Sequence, residues 1–255
     1  MSTFVEVPIT CPHCQRVTTR TIATSINGPR IPEVVGDIRD GTFQVFTCPG
    51  CHQRYEVDEA LAFIDFDRGH WVTMYPAAWE HGWRGWEAEA DRNYLDTMVN
   101  YAAPAAAELG EGLWRRTVFG LEALREKLAI AAHDLDDVAV EALKLDLMRS
   151  VSGLVLSPAA RPRFVEIDGD TLLFRAMGAG DDPDTAESPA GRAVLGVERA
   201  QYDVVLGDAW QPTREKLAAG TYVDLGRLLL DGGDADAAIT MLAGPRAAAV
   251  EDFGE

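Results

Sequence analysis

Cys11-Pro12-His13-Cys14 and Cys48-Pro49-Gly50-Cys51 are two copies of one short motif, and together they use all 4 cysteines of the 255-residue chain. A Cys-x-x-Cys pair on a tight turn presents two thiolates to one ion, and two such turns complete a tetrahedral all-sulfur shell. Proline at the second position holds φ near about −65° and stiffens each turn. Zn–S bonds of about 2.3 Å require all four sulfurs to converge, so the motifs must lie on adjacent strand ends. A thioredoxin-like redox pair opens a helix, and neither Cys14 nor Cys51 is followed by a helical pattern. A disulfide framework needs an oxidising compartment. Met1–Thr10 has neither the basic nor the apolar stretch of a secretory leader, so a cytoplasmic protein is expected. The spacings fit neither common ferredoxin run. The predicted ligands are therefore Cys11, Cys14, Cys48 and Cys51, holding one structural Zn2+ per chain.

Both motifs directly follow β-like segments, Phe4–Val7 and Thr42–Phe46, as a zinc ribbon requires. Between them lie 33 residues, Gln15–Thr47, more than the ~15–20 of a compact ribbon. An inserted hairpin or long loop over Ser25–Gly41 is the expected source of the excess. Gly50 is expected to supply backbone freedom that His13 withholds, so the two turns should not be fully equivalent. Arg16–Ile26, Arg54–Val57, Ala60–Phe66 and Trp71–Tyr75 read as further strands, which makes residues 1–76 β-rich.

Helices follow over about 86–152. Glu87–Ala103 reads as the first. Trp114, Thr117, Val118, Leu121, Leu124 and Leu128 then recur at three and four residues and draw an apolar helical stripe. Asp134 is the expected N-cap of the next helix, whose apolar residues occupy two faces and predict burial on both sides. Arg163–Ile167 and Thr171–Met177 flank Asp168-Gly169-Asp170, a hairpin signal with a three-residue loop. Residues 178–191 read as a linker, 192–206 as strand or helix, and 212–244 as helical. The expected fold class is α+β. Residues 1–130 form a four-cysteine, zinc-ribbon-like β-domain with helices, and 131–255 a helical and hairpin region.

The two Cys-Pro-x-Cys motifs, near the N-terminus and joined by a β-rich stretch, resemble the bacterial CpXC protein family over residues 1–130. That resemblance implies a zinc-binding N-terminal domain and assigns no catalytic residues.

The formal net charge is −18, from 41 Asp+Glu against 23 Lys+Arg. A surface this acidic repels phosphate backbones, so neither nucleic acid nor an anionic membrane is expected as a partner. No stretch approaches the ~18 apolar residues of a membrane span. Residues 1–58 hold five Arg against six acids, so residues 59–255 hold −17 of the −18 and predict a basic protein partner. His13, His52, His70, His81 and His133 show no metal-protease spacing. His13 and His52 adjoin the cysteine turns, where either can donate to a thiolate. Trp71, Trp79, Trp83 and Trp86 lie within sixteen residues, the last three spaced for one helix face. Ser150–Gly153 lacks a nucleophile elbow, and Tyr222–Leu242 matches a single tetratricopeptide-like unit. The expected function is that of an accessory protein with structural zinc, binding another protein without catalysis. Two alternatives stand beside it: an enzyme whose site assembles from distant residues, as a buried cleft lined by His70, His81 and carboxylates would indicate, and a zinc-ribbon nucleic-acid regulator.

Overall fold

The computed structural model describes residues 2–150, 161–175 and 194–230. The chain is mixed α/β and divides into two compact units, Met1–Arg125 and Glu126–Glu255.

In the first unit, β1 (Thr3–Thr10) and β2 (Val17–Asn27) pair antiparallel from Thr3↔Ser25 to Thr10↔Val17, so the first cysteine motif is the tip of a hairpin. β3 (Val45–Thr47) and β4 (Arg54–Glu56) form a second, smaller hairpin whose last pair is Thr47↔Arg54, and the second motif is its tip. β5 (Leu61–Asp65), β6 (His70–Tyr75) and β7 (Trp114–Phe119) complete a five-stranded sheet in the order β1-β2-β5-β6-β7. The β2–β5 and β6–β7 pairings are parallel and need crossovers. The β6–β7 crossover contains α2 (Trp83–Leu95), a π-helical turn at Asp96–Asn100 and α3 (Pro104–Gly110).

The excess length between the motifs is neither hairpin nor loop. β2 runs on to Asn27, and α1 (Pro32–Asp40) then begins with proline in its first turn and ends at Gly41, whose φ of 70° is left-handed. Proline-start and glycine-stop are the favoured ends of a helix, and α1 buries Ile38.

The apolar stripe from Trp114 to Leu128 is also not one helix. Trp114–Phe119 is β7, paired with β6 from His70↔Trp114 to Tyr75↔Phe119, and α4 (Leu121–Ala132) starts only after Gly120. Gly120 has φ +85°, and a Cβ there would stand 3.0 Å from Ala77 Cβ. Gly120→Ala is therefore expected to lower stability by about 1–3 kcal/mol, from left-handed strain plus the contact; a urea midpoint unchanged from wild type would refute this.

In the second unit, α5 (Asp137–Ser150) is buried almost throughout and packs against α6 (Arg199–Leu206) and α7 (Gln211–Leu217), in line with its two apolar faces. Asp134 has φ 52° and is not the cap; the carboxylate of Asp136 instead accepts the Val138 N–H at 2.9 Å. β8 (Arg163–Asp168), β9 (Thr171–Arg175) and β10 (Val194–Glu198) form a sheet in the order β10-β9-β8. Asp168 pairs with Thr171, so the hairpin loop is two residues, with Gly169 at φ 56°, rather than three. Residues 194–206 hold both candidate structures, β10 followed directly by α6. The region from 212 contains α7 and the four-residue α8 (Gly226–Leu229). Tyr222, Leu225 and Leu229 are buried, Leu225 and Leu229 within the core of this unit, so the described part of the tetratricopeptide-like segment is one turn of helix, not a hairpin arm. The linker 178–191, Ser152-Gly153 and the remainder of the 222–242 segment lie outside the described residues. No described helix is long and apolar enough to cross a membrane.

Candidate metal centre

Each cysteine motif builds the same turn. In the first, the Cys11 N–H donates to the Arg16 carbonyl at 2.9 Å and the Gln15 N–H to the Cys11 carbonyl at 3.0 Å. In the second, the Cys48 N–H donates to the Gln53 carbonyl and the His52 N–H to the Cys48 carbonyl, both at 2.9 Å. The left-handed residues are Gln15 (φ 59°) and His52 (φ 61°), which occupy matching positions after the second cysteine. The expected inequivalence of the turns is thus absent. Neither His13 nor Gly50 has positive φ, so backbone freedom at that position is not what the turn needs. Glycine at 50 serves close approach: a Cβ there would meet the Arg16 side chain at 2.9 Å and Cys14 Sγ at 3.6 Å.

All four sulfurs lie within 4.8 Å of one another and could hold a metal ion. The nearest pairs join opposite turns, Cys14 Sγ to Cys48 Sγ at 3.5 Å and Cys11 Sγ to Cys51 Sγ at 3.8 Å. Sulfurs about 2.3 Å from a common centre stand about 3.8 Å apart in a tetrahedron, whereas a disulfide bond is about 2.05 Å. The donor set therefore fits a tetrahedral soft-metal site. Cys11 and Cys48 are fully buried, Cys51 is half-buried and Cys14 exposed. The Gly50 N–H donates to Cys48 Sγ at 3.3 Å. Amides of Cys51 and Gly50 pull the Cys48 thiol down to about 6. The Arg16 amide acts on Cys14 in the same sense, but the contacts with the other thiols, Cys48 foremost, outweigh it and push it up to about 12. One thiol ionises at its neighbour's expense, and a divalent cation relieves that competition.

Residues outside the motifs hold the two hairpins together. Gln44, buried and at φ 54°, accepts the Ala23 N–H at 2.8 Å and donates to the Val57 carbonyl at 2.9 Å. Arg20 donates to the Thr47 carbonyl at 2.7 Å and lies over the Phe46 ring. Ile22, Tyr55 and Val57 pack around Cys11 and Cys48. Gln44 and Arg20 have no sequence signature, since their bonds span 13 to 35 positions of chain.

The histidines contribute no ligand. His13 Nε2 lies 3.3 Å from the Arg54 carbonyl, not beside a sulfur. His70 packs against Trp114, and the exposed His81 ends the 3-10 turn at Ala77–Gly82. The tryptophans divide. Trp71 and Trp83 are buried, while Trp79 and Trp86 stack at 4.4 Å beside Tyr75, across the junction of that turn with α2 rather than on one helix face.

Glu56, on β4, keeps 38% of its side chain exposed; withdrawal of the rest from water raises its carboxyl to about 7, Arg125 opposing and Glu122 and Asp58 adding to the rise, so solvent screening keeps the effect on stability small. A folded-state value above the unfolded one means that ionised Glu56 opposes folding, increasingly as pH rises from about 4.5 towards 7. Glu56→Gln is expected to raise the urea midpoint at pH 8 and leave it nearly unchanged at pH 4.5; equal effects at both would contradict this.

A second cluster of carboxylates, Glu126, Glu141 and Asp224, also has oxygens within 4.8 Å of one another. Cations of the chain already fill it. Lys144 Nζ lies 3.1 Å from Glu126 and 2.8 Å from Glu141; Arg163 reaches Glu126 at 2.7 Å and Asp224 at 2.9 Å; Arg161 also pairs with Asp224. Lys127 joins Asp137 at 2.9 Å to Glu141 at 3.4 Å. Burial alone would raise Asp224, but Arg161 and Arg163 hold it well below the usual carboxylate range. Four acids face four bases, which suits a structural network rather than a metal site. Its one sequence signal is the charge set among the apolar residues of α5, Asp137, Glu141 and Lys144.

No curated protein and no solved structure matches the chain. The family model described as CpXC protein matches residues 9–144, from just before the first cysteine turn into α5 and over more than half of the chain. By that match and by the paired cysteine turns it contains, the chain belongs to the CpXC family.

Proposed function

We propose that this protein is a non-catalytic accessory protein of the bacterial cytoplasm, whose Cys11, Cys14, Cys48 and Cys51 hold one structural Zn2+. The observation that carries this reading is the convergence of four thiols from two matching hairpin tips, with two of them fully buried. Four thiolates leave a zinc ion no open position for water or substrate. Free thiols set for metal also suit a reducing compartment. The metal's work is then to clamp two hairpins that share only a small core, so that residues 1–58 present a fixed surface to a protein partner. The acidity of residues 59–255 favours a basic partner.

Elemental analysis of the purified chain is expected to give one zinc per polypeptide. Affinity capture of the native chain, followed by mass spectrometry, is expected to recover a protein in stoichiometric amount, lost when a chelator strips the zinc. Turnover of a substrate by the zinc-loaded chain, abolished by chelation, would favour an enzyme instead.

A further inference from the structure

A cleft of about 480 Å³ opens in the first unit, between one face of the five-stranded sheet and the segment formed by α2 and the π-helical turn. Its floor follows from the strand register. Ser25 pairs with Ala62 and Ala62 with Thr73, so three small side chains lie in a row across β2, β5 and β6. Phe66, Trp71 and Met98 are among the larger side chains that line the space. The π-helical turn at Asp96–Asn100 brings Thr97 and Met98 to the cleft, and single π-turns recur at functional sites.

Two features define what the space accepts. Among the described residues no Asp, Glu, Lys, Arg or His lines it, and a chain of net charge −18 gives an anion no long-range attraction. Tyr75 also lines it; the residue is 5% exposed and its hydroxyl is buried, the Asn93 side chain acts as a donor to its oxygen, and its own proton meets no acceptor among the described residues. Burial raises the Tyr75 phenol above its usual value and Glu89 adds to the rise, the hydrogen bond from Asn93 and the charge of Arg92 opposing only in part, so it remains an O–H donor. A buried donor left unmet is unfavourable, and native structures seldom keep one without a reason.

We propose that this cleft binds a neutral, largely apolar small molecule whose single oxygen acceptor takes the hydrogen bond of the Tyr75 hydroxyl. Apolar walls supply the driving force and the one polar group fixes orientation, the usual division of labour in a small-molecule site. The proposal is independent of the metal, because every lining residue lies outside the cysteine turns.

The test uses the full zinc-loaded chain and N-phenyl-1-naphthylamine, a neutral fluorescent probe without an oxygen acceptor. Saturable 1:1 enhancement is expected, lost at least about tenfold in Ala62→Phe, which fills the floor, and in Thr97→Trp, which blocks the exposed rim. 2-Octanone should displace the probe, and octanoate should do so at least about tenfold less well, because its charge is not compensated in the cleft. In Tyr75→Phe the probe should bind as in wild type, while 2-octanone weakens about fivefold, the worth of one neutral hydrogen bond. Circular dichroism melting checks that each variant is folded, and Thr97→Trp at the surface serves where Ala62→Phe is not. Absence of saturable binding, or binding that survives both blocking variants, overturns the site. Octanoate binding as well as 2-octanone overturns the neutral class, and an unchanged 2-octanone affinity in Tyr75→Phe overturns the acceptor contact.

Discussion

Cys48→Ser is expected to abolish zinc retention and to unfold the two hairpins that end in the cysteine turns. Cys48 is fully buried, receives the Gly50 N–H at 3.3 Å and lies 3.5 Å from Cys14 of the other turn. A serine hydroxyl at that place is neither ionised nor soft, so the shell falls to three thiolates with an unmatched buried position. Structural zinc contributes on the order of 10 kcal/mol of apparent folding free energy in small zinc domains. Here the sheet and the Gln44 bridge retain part of the fold, so a loss of several kcal/mol is expected, confined at first to residues 3–57. Elemental analysis should fall from one zinc per chain to near zero, and hydrogen exchange should accelerate in β1–β4. His13→Ala is the internal control: its ring contacts the Arg54 carbonyl and no sulfur, so zinc content should be unchanged. A Cys48→Ser chain that keeps one zinc would end the four-cysteine assignment. Wild-type melting that is indifferent to chelation would end the structural role.

Lys144→Met is expected to cost the second unit about 3–5 kcal/mol, the usual consequence of removing one partner from a buried ionic group. The lysine is 0% exposed and its ammonium serves both Glu126 and Glu141. Methionine conserves most of the volume, so the loss is electrostatic rather than a cavity. Burial already raises Glu141, with Lys144 as the chief opposing charge. Without that charge the carboxyl must rise further. A folded-state carboxylate raised above its unfolded value opposes folding above that pH, so the gap to wild type should widen from pH 5 to pH 8. Adding Glu141→Gln should recover part of the loss by removing the orphaned charge. Urea titrations of the three chains at both pH values decide the matter. A single variant within about 0.5 kcal/mol of wild type, the range of neutral surface changes, would show that the network does not matter to stability.

Where neighbouring residues carry the signal, sequence and structure agree. The two cysteine turns are legible because a spacing of two residues forces the sulfurs of each pair together. β2 is legible from period-two alternation and β5 and β6 from short apolar, aromatic-rich runs between turns, as is the two-sided burial of α5 from its apolar residues. Where distant pairing decides, the two part. Trp114 to Leu128 follows a helical period by coincidence, and β7 is a strand because His70 to Tyr75 stand ready to pair with it more than forty residues upstream. The helix between the motifs is hidden for another reason: α1 is only 9 residues long, carries Gly36 in its interior and buries only Ile38.

Local chemistry thus specified the four cysteines, the strands that deliver them and the acidic charge, because each depends on residues close in the chain or on composition alone. The tertiary structure decided the rest. It showed that the two turns are equivalent, that Gln44 and Arg20 join their hairpins, and that Tyr75 and Met98 meet at one cleft. It also placed Lys127 and Lys144 in the interior, where sequence alone reads lysine as surface. A charge can be buried only where its partners converge, and here the acids that receive Lys144 and Arg163 come from α4, α5 and the approach to α8. No window of sequence contains that convergence, because it exists only after the chain has folded.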